Sequence, residues 1–335
     1  MAKRFFTWLG KVIVAGLLAL ALLCGFCFFY YNVPVHYPNP SGATEYVWEA
    51  NRFYSSGKEG FALGRTNNDG FNNLRDYTPD EAIDILLMGS SHMEAFNVAQ
   101  DKSTAAVLNR LFAGEKYVYN IGTAGHTLAY CVKHLPAALD TYRPGQYVLL
   151  ETMTLDLPPE DMTGAVDGTL ADIPSHAGGI VDLLQKVPAL RLFYSKYVKG
   201  NLSFGDIEQE AASTASASPD AYEDALSAFI GQIADESAAH GLQAVIIYNP
   251  GVQIAGDGSF LTDTDPAQLA AFQTLCTENG VRFLDLTEIY LRSCREQHLL
   301  PAGFSNTAPG KGHLNAVGHR LIAETVYAAI TAWEG

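Results

Sequence analysis

Residues 12–31 form an uncharged run rich in Leu, Ala and Phe, long enough to cross a bilayer as a helix. Beyond it the apolar residues break into short runs with strand composition at 83–88, 117–121, 147–150, 243–248 and 282–286. Helix-like patterns lie between them, at 103–111, 127–139, 221–239 and 266–279. Strands alternating with helices predict a parallel sheet covered on both faces. The run Ile83-Asp84-Ile85-Leu86-Leu87-Met88 is apolar on both faces, as an interior strand of such a sheet would be. The expected fold is therefore α/β, a three-layer α/β/α sandwich around a five-stranded, mostly parallel sheet, preceded by one N-terminal transmembrane helix.

The same pattern divides the chain. Residues 1–11 carry Lys3, Arg4 and Lys11 and form a basic N-terminus, which the positive-inside tendency keeps cytoplasmic. Residues 12–31 are the anchor. A cleaved signal peptide is the rival reading, but the run closes on Cys27-Phe28-Phe29-Tyr30-Tyr31 and not on a small-x-small cleavage site. Residues 32–77, rich in Pro, Asn, Gly and Tyr, read as a tether leading into turns, with Thr66-Asn67-Asn68-Asp69-Gly70-Phe71 the strongest turn signal. Residues 78–335 make one large domain with an excursion at about 155–219, which includes helical patterns broken at Pro188 and a loop at 211–218 of Ala and Ser only, apart from Thr214.

Charge and cysteine narrow the function classes. All 36 acidic residues and 18 of the 21 basic ones follow the anchor, leaving that part at −18, which argues against nucleic acid as a partner. Of five cysteines, Cys24 and Cys27 lie in the apolar run, and Cys131, Cys276 and Cys294 show no zinc or redox spacing. No disulfide framework is indicated, although a single Cys276 to Cys294 bridge stays open. Nothing points to a metal or another cofactor. Asp263-Thr264-Asp265 reads as the solvated start of a helix at Pro266.

Ligands of open parallel sheets bind beyond the carboxyl ends of the strands. Five polar segments collect there: Ser90-Ser91-His92, Asn120-Ile121-Gly122, Glu151-Thr152-Met153-Thr154, Tyr248-Asn249-Pro250-Gly251 and, after a loop, His313. Taken singly, Ser91 could cap a helix, while His92 reads as a pocket-wall residue and His319 as structural. Together, a serine and a histidine at one sheet edge suggest a nucleophile and its base.

Asp84-Ile85-Leu86-Leu87-Met88-Gly89-Ser90-Ser91-His92 resembles the first block of the SGNH/GDSL hydrolases, in the Gly-Ser-Ser-His form of membrane-anchored bacterial members. Tyr119-Asn120-Ile121-Gly122 resembles the second block, His313-Leu314-Asn315-Ala316-Val317-Gly318-His319 the last, and Asn67-Asn68-Asp69-Gly70-Phe71 a turn often found before the first strand. The resemblance spans about 67–324, excursion excepted. It implies a flavodoxin-like sheet, Ser91 as nucleophile, His313 as base, and an oxyanion held by the amides of Ser91 and Gly122. Two family positions differ. The aspartate three residues before the histidine is Gly310, and the third block, Glu151-Thr152-Met153-Thr154-Leu155-Asp156, has no asparagine. A Ser-His dyad then follows, with Thr154 as a substitute oxyanion donor and Glu151 or Asp156 as candidates to orient the histidine.

The expected function is an extracytoplasmic serine esterase or O-acyltransferase. Its expected partner is an acylated cell-wall or extracellular polysaccharide, where Tyr130 and Phe304 could line a sugar site. A catalytically inactive carbohydrate-binding relative and a lipid-acting esterase are the alternatives.

Overall fold

A computed structural model describes residues 2–173, 187–193 and 219–335. The chain starts with α1 (Ala2–Tyr30), continuous with the run expected at 12–31. Its most apolar 18-residue stretch has a mean hydropathy of 2.8 and is almost wholly exposed, so the helix is long and apolar enough to cross a membrane. Five short strands follow: β1 (Tyr31–Asn32), β2 (His36–Pro38), β3 (Tyr46–Trp48), β4 (Phe53–Ser56) and β5 (Ala62–Arg65).

The tether expected at 32–77 is thus corrected to folded structure. The strands β1, β4 and β5 form one antiparallel sheet, and β2 pairs with β3. Tyr54, Asn67 and Asn72 from this segment are buried. Its aromatic and Asn-rich composition, which reads as loop in the sequence, pairs polar groups of the main domain: Asn72 Nδ2 donates to Glu94 O at 2.7 Å, and Asn73 Nδ2 to Asn120 O at 2.8 Å.

The main domain runs β6 (Ile85–Met88), α2 (Ser91–Glu94), α3 (Thr104–Leu111), β7 (Val118–Asn120), α4 (Leu128–Tyr142), β8 (Tyr147–Thr152), α5 (Pro159–Asp167), α6 (Pro188–Phe193) and α7 (Pro219–Ala239). It continues with β9 (Gln243–Tyr248), the hairpin β10 (Val252–Ile254) and β11 (Phe260–Thr262), α8 (Pro266–Glu278), β12 (Arg282–Asp285), α9 (Thr287–Gln297) and α10 (Ala316–Glu334). Most of the excursion expected at 155–219, its Ala-Ser loop included, lies outside the described residues. Asp265 caps α8 by accepting the Ala267 amide at 2.9 Å, so the acidic loop before Pro266 is a helix start.

The five expected strands form one sheet in the order β12-β9-β8-β6-β7, every pair parallel. Alternation along each strand explains the two-sided apolar runs. Leu86, Met88, Val148, Leu150 and Ile246 pack with α4, α7 and α8 on one face. Ile85, Leu87, Leu149, Val245 and Ile247 pack with α3, α9 and α10 on the other. All five cysteines are free, so the Cys276 to Cys294 bridge is not formed.

Candidate active site

The end of β6 turns sharply. A Cβ on Gly89 would stand 2.6 Å from Met93 Cγ and 2.7 Å from Glu151 Oε2, so no other residue fits between strand and helix. Ser90 caps the short helix α2, its hydroxyl accepting the His92 amide at 3.2 Å. This places Ser91 at the first helical position, with its amide in the turn whose N–H groups have no acceptor within the helix.

Glu151, at the end of β8, holds that turn. Its Oε2 accepts the Ser90 amide at 3.0 Å and the Ser90 hydroxyl at 2.9 Å, while Oε1 accepts Asn249 Nδ2 at 3.0 Å. Burial pushes the Glu151 carboxyl pKa up, and the bonds from Asn249 and Ser90 oppose that shift. Asn249 Nδ2 also lies 3.2 Å from His92 Nδ1, and its Oδ1 accepts the Tyr290 hydroxyl at 2.7 Å. The amide orientation of Asn249 follows from those partners, since Nδ2 faces a carboxylate and Oδ1 a phenol. His92 Nδ1 is therefore an acceptor, and the ring is buried 5.3 Å from that of His313.

His313 reaches Ser91 from the far end of the chain. Its Nε2 lies 3.0 Å from Ser91 Oγ. Asn315 fixes the approach: its Oδ1 caps α10 through the Val317 amide at 2.8 Å, and its Nδ2 donates to Leu300 O and Gly303 O. The other ring nitrogen, Nδ1, lies 2.9 Å from Glu59 Oε2, and the same oxygen accepts the His313 amide at 2.8 Å. Because a carboxylate oxygen only accepts, Nδ1 carries the proton and Nε2 presents its lone pair to the serine hydroxyl.

The acid on His313 is thus Glu59, from the turn between β4 and β5. This corrects the expected dyad and both acids proposed for it. Glu151 is committed to Ser90 and Asn249, and Asp156 is exposed, its amide donating to Thr154 Oγ1 at 3.0 Å. Two glycines precede the histidine, and one of them makes room for Glu59. Gly310, where the resemblance led to an expected aspartate, has φ +72°, a conformation that disfavours any side chain. A Cβ on Gly312 would lie 2.5 Å from Glu59 Oε2, so that position must be bare for the carboxylate to enter. Asn306 clamps the turn, accepting the Gly60 amide at 2.7 Å and donating to Gly57 O at 3.2 Å.

The remaining expected residues are placed as follows. Gly122 packs against α2, where a Cβ would stand 2.6 Å from Glu94 N, and its amide donates to Asn120 Oδ1 at 2.9 Å. That amide is engaged within its own loop, unlike the open donor expected there. Thr154 accepts from Asp156 and pairs with Thr152. Phe304 packs on Gly60 of the acid-bearing turn, and Tyr130 donates to Ala171 O at 3.0 Å. His319 is buried beside Thr104, with Nδ1 2.9 Å from Oγ1, and burial lowers its pKa to about 3.

Sequence reasoning missed Glu59 and the supporting role of Asn249. The Asn249-Pro250-Gly251 segment was visible as a strand end, but nothing near Glu59 in sequence links it to a histidine 254 positions away. No group of His, Cys, Asp and Glu among the described residues could hold a metal.

No family model and no curated protein matches this chain. Among solved structures it is similar to a psychrotrophic esterase from Pseudoalteromonas sp., at 15% identity over 74% of this chain and 97% of that one, with a TM-score of 0.37. An acetyl xylan esterase is similar at 12% identity, 73% and 98% coverage and a TM-score of 0.42. A carbohydrate acetylesterase from Sinorhizobium meliloti is similar at 10% identity, 74% and 98% coverage and a TM-score of 0.41.

Proposed function

We propose that this chain is an SGNH-type serine esterase or O-acyltransferase working through Ser91, His313 and Glu59. The observation that carries the reading is the hydrogen-bonded line from Ser91 Oγ to His313 Nε2 and from His313 Nδ1 to Glu59 Oε2. As Ser91 Oγ attacks the acyl carbonyl, Nε2 takes the hydroxyl proton, and Glu59 stabilises the imidazolium that forms. Collapse of the tetrahedral intermediate breaks the ester bond. The alcohol leaves with the proton from Nε2, and the acyl group stays on Ser91. Water, or a second hydroxyl in the transfer reaction, then gives its proton to Nε2 and takes the acyl group, restoring the serine.

The Ser91 amide at the start of α2 is the oxyanion donor. Each such donor is worth about 10² to 10³ in turnover. The Gly122 amide can contribute only by sharing its hydrogen with Asn120 Oδ1. The substrate we assign is an acyl ester, an O-acetyl group above all, on cell-wall or extracellular polysaccharide. This follows from the family resemblance together with an N-terminal helix that keeps Lys3, Arg4 and Lys11 inside and the domain outside the cytoplasm.

A fluorophosphonate probe tests the reading. The folded wild-type chain should be labelled at Ser91, while Ser91→Ala and His313→Ala should not. A folded wild type that stays unlabelled would sink the esterase reading.

A further inference from the structure

The acid of the triad and the apolar N-terminal helix belong to one structural unit. Strand β1 begins at Tyr31, immediately after α1, and pairs with β4 through Tyr31 with Ser56 and Asn32 with Ser55. Ser55 Oγ donates to Phe28 O at 2.7 Å, satisfying a carbonyl in the last turn of the helix. A Cβ on Gly57 would stand 2.5 Å from Tyr30 O, so the hairpin lies directly on the helix end. Lys58 Nζ sits 4.1 Å from the Tyr31 ring centroid. Glu59 is the next residue. It is three positions beyond Ser56, which limits it to about 10 Å along the chain from the β1 pairing.

The two faces of this hairpin differ in kind. Register places Ser55 opposite Leu63 and Phe53 opposite Arg65, so Phe53, Ser55, Leu63 and Arg65 share one face, Arg65 paired with Asp76 at its far end, and the period of two adds Phe61. The opposite face, with Tyr54, Ser56 and Ala62, is buried in the domain. On the first face Phe53, Phe61 and Leu63 are exposed, and Phe53 stacks on Phe28 of α1 at 5.5 Å. Phe29 and Tyr30 of the helix end are exposed beside them. The face that carries the exposed Phe53, Phe61 and Leu63 is thus the one that meets the end of α1. Aromatic and aliphatic side chains arranged this way at the end of a spanning helix match the composition of a membrane interface.

We infer that the outer face of the β4–β5 hairpin rests on the bilayer and that the triad works at the membrane surface, on an acyl ester presented by a membrane-anchored amphiphile. This rests on the esterase reading above and narrows its substrate from polysaccharide in general to a saccharide or similar alcohol carried on a lipid. Spanning by α1 places Tyr30 at the interface, and Glu59 then ties His313 to within a headgroup layer of it. A lipid-borne ester meets such a site at high effective concentration, whereas a freely diffusing polymer does not.

The full chain in phosphatidylcholine vesicles provides the test. Phe61→Cys, labelled with an environment-sensitive maleimide dye, should be quenched when a headgroup-nitroxide lipid is included, with the wild-type chain treated identically as the blank. An unquenched dye overturns the bilayer docking. In the second arm, an O-acetylated long-chain alkyl glucoside in the vesicles should be cleaved about a hundredfold faster, in kcat/KM, than the same acetyl ester on methyl glucoside in solution. Equal rates overturn the membrane-borne substrate. A quenched dye with neither ester cleaved, and with Ser91 unlabelled by fluorophosphonate, sinks the esterase reading while leaving the docking of the hairpin in place.

Discussion

Two carboxylates serve the same few ångströms of this molecule from opposite kinds of structure. Glu151 comes from the middle of the parallel sheet, is 1% exposed, and spends Oε2 on the turn that carries Ser91 and Oε1 on Asn249. Glu59 comes from a two-stranded hairpin beside the N-terminal helix, keeps a side-chain exposure of 29%, and spends Oε2 on His313. The acid nearest Ser91 in the sheet is therefore scaffolding, and the acid that orients His313 arrives from a peripheral element. Proximity along the sheet edge predicts support. Which group is oriented depends on where each carboxylate points.

The contrast can be broken most sharply at Glu59. Glu59→Gln should lower ester turnover by about 10⁴ while thermal stability stays near that of the wild type, as expected when the partner of a catalytic imidazole is lost and its geometry kept. A stopped assay on a nitrophenyl ester with a parallel melting curve checks this, and full activity in Glu59→Gln would return Glu59 to a structural role. Gly312→Ala approaches the same point from the other side. Its new methyl would occupy the space held by Glu59 Oε2, and turnover should fall by about 10² or more, since misplacement on the order of 1 Å can cost that much.

Glu151→Ala should do the reverse. It strands the Ser90 amide and hydroxyl and the Asn249 amide, so the main effect is a stability loss of about 3 kcal/mol, read from denaturant unfolding. If Glu151→Ala melts like the wild type, the scaffolding role is wrong.

A smaller test uses histidines in place of acids. His313 has partners on both ring nitrogens, but His126, in the loop after β7, is buried between Tyr130 and His134 with Nε2 unpaired among the described residues. Burial first, and the neighbouring His134 and Lys133 second, lower its pKa from the ordinary 6.5 to about 3. Between those pH values the unfolded chain binds a proton at His126 that the folded chain does not. Stability is therefore lost as pH falls below about 6.5. His126→Phe should match the wild type at pH 7 and lose less stability between pH 6.5 and 4 in denaturant titrations. Parallel losses in both chains would remove His126 from the acid response.

Much of the fold could be read from the chain because the signals are local. The strand runs at 83–88, 117–121, 147–150, 243–248 and 282–286 became the five sheet strands within a residue or two, and their two-sided apolar character reflects helices on both faces. Gly89, Ser90 and Asn315 likewise carry a local signal, through a close approach to Met93 and two helix caps. The segment 32–77 could not be read this way. Its strands are two to four residues long, too short to show a period, and they are held by pairing with each other and with the end of α1.

By itself the sequence determined the parallel sheet, the apolar N-terminal helix, and a serine at a strand end with a histidine just before the last helix, because hydrophobic period and turn chemistry act over a few residues. Only the tertiary structure decided which acid serves the histidine. Gly310 looked like a missing aspartate, yet Gly312 leaves the space that Glu59 enters, and a contact across 254 positions leaves no periodic trace in the chain. The same is true of the link between site and helix end, which exists because β1 happens to pair with the strand that leads to Glu59.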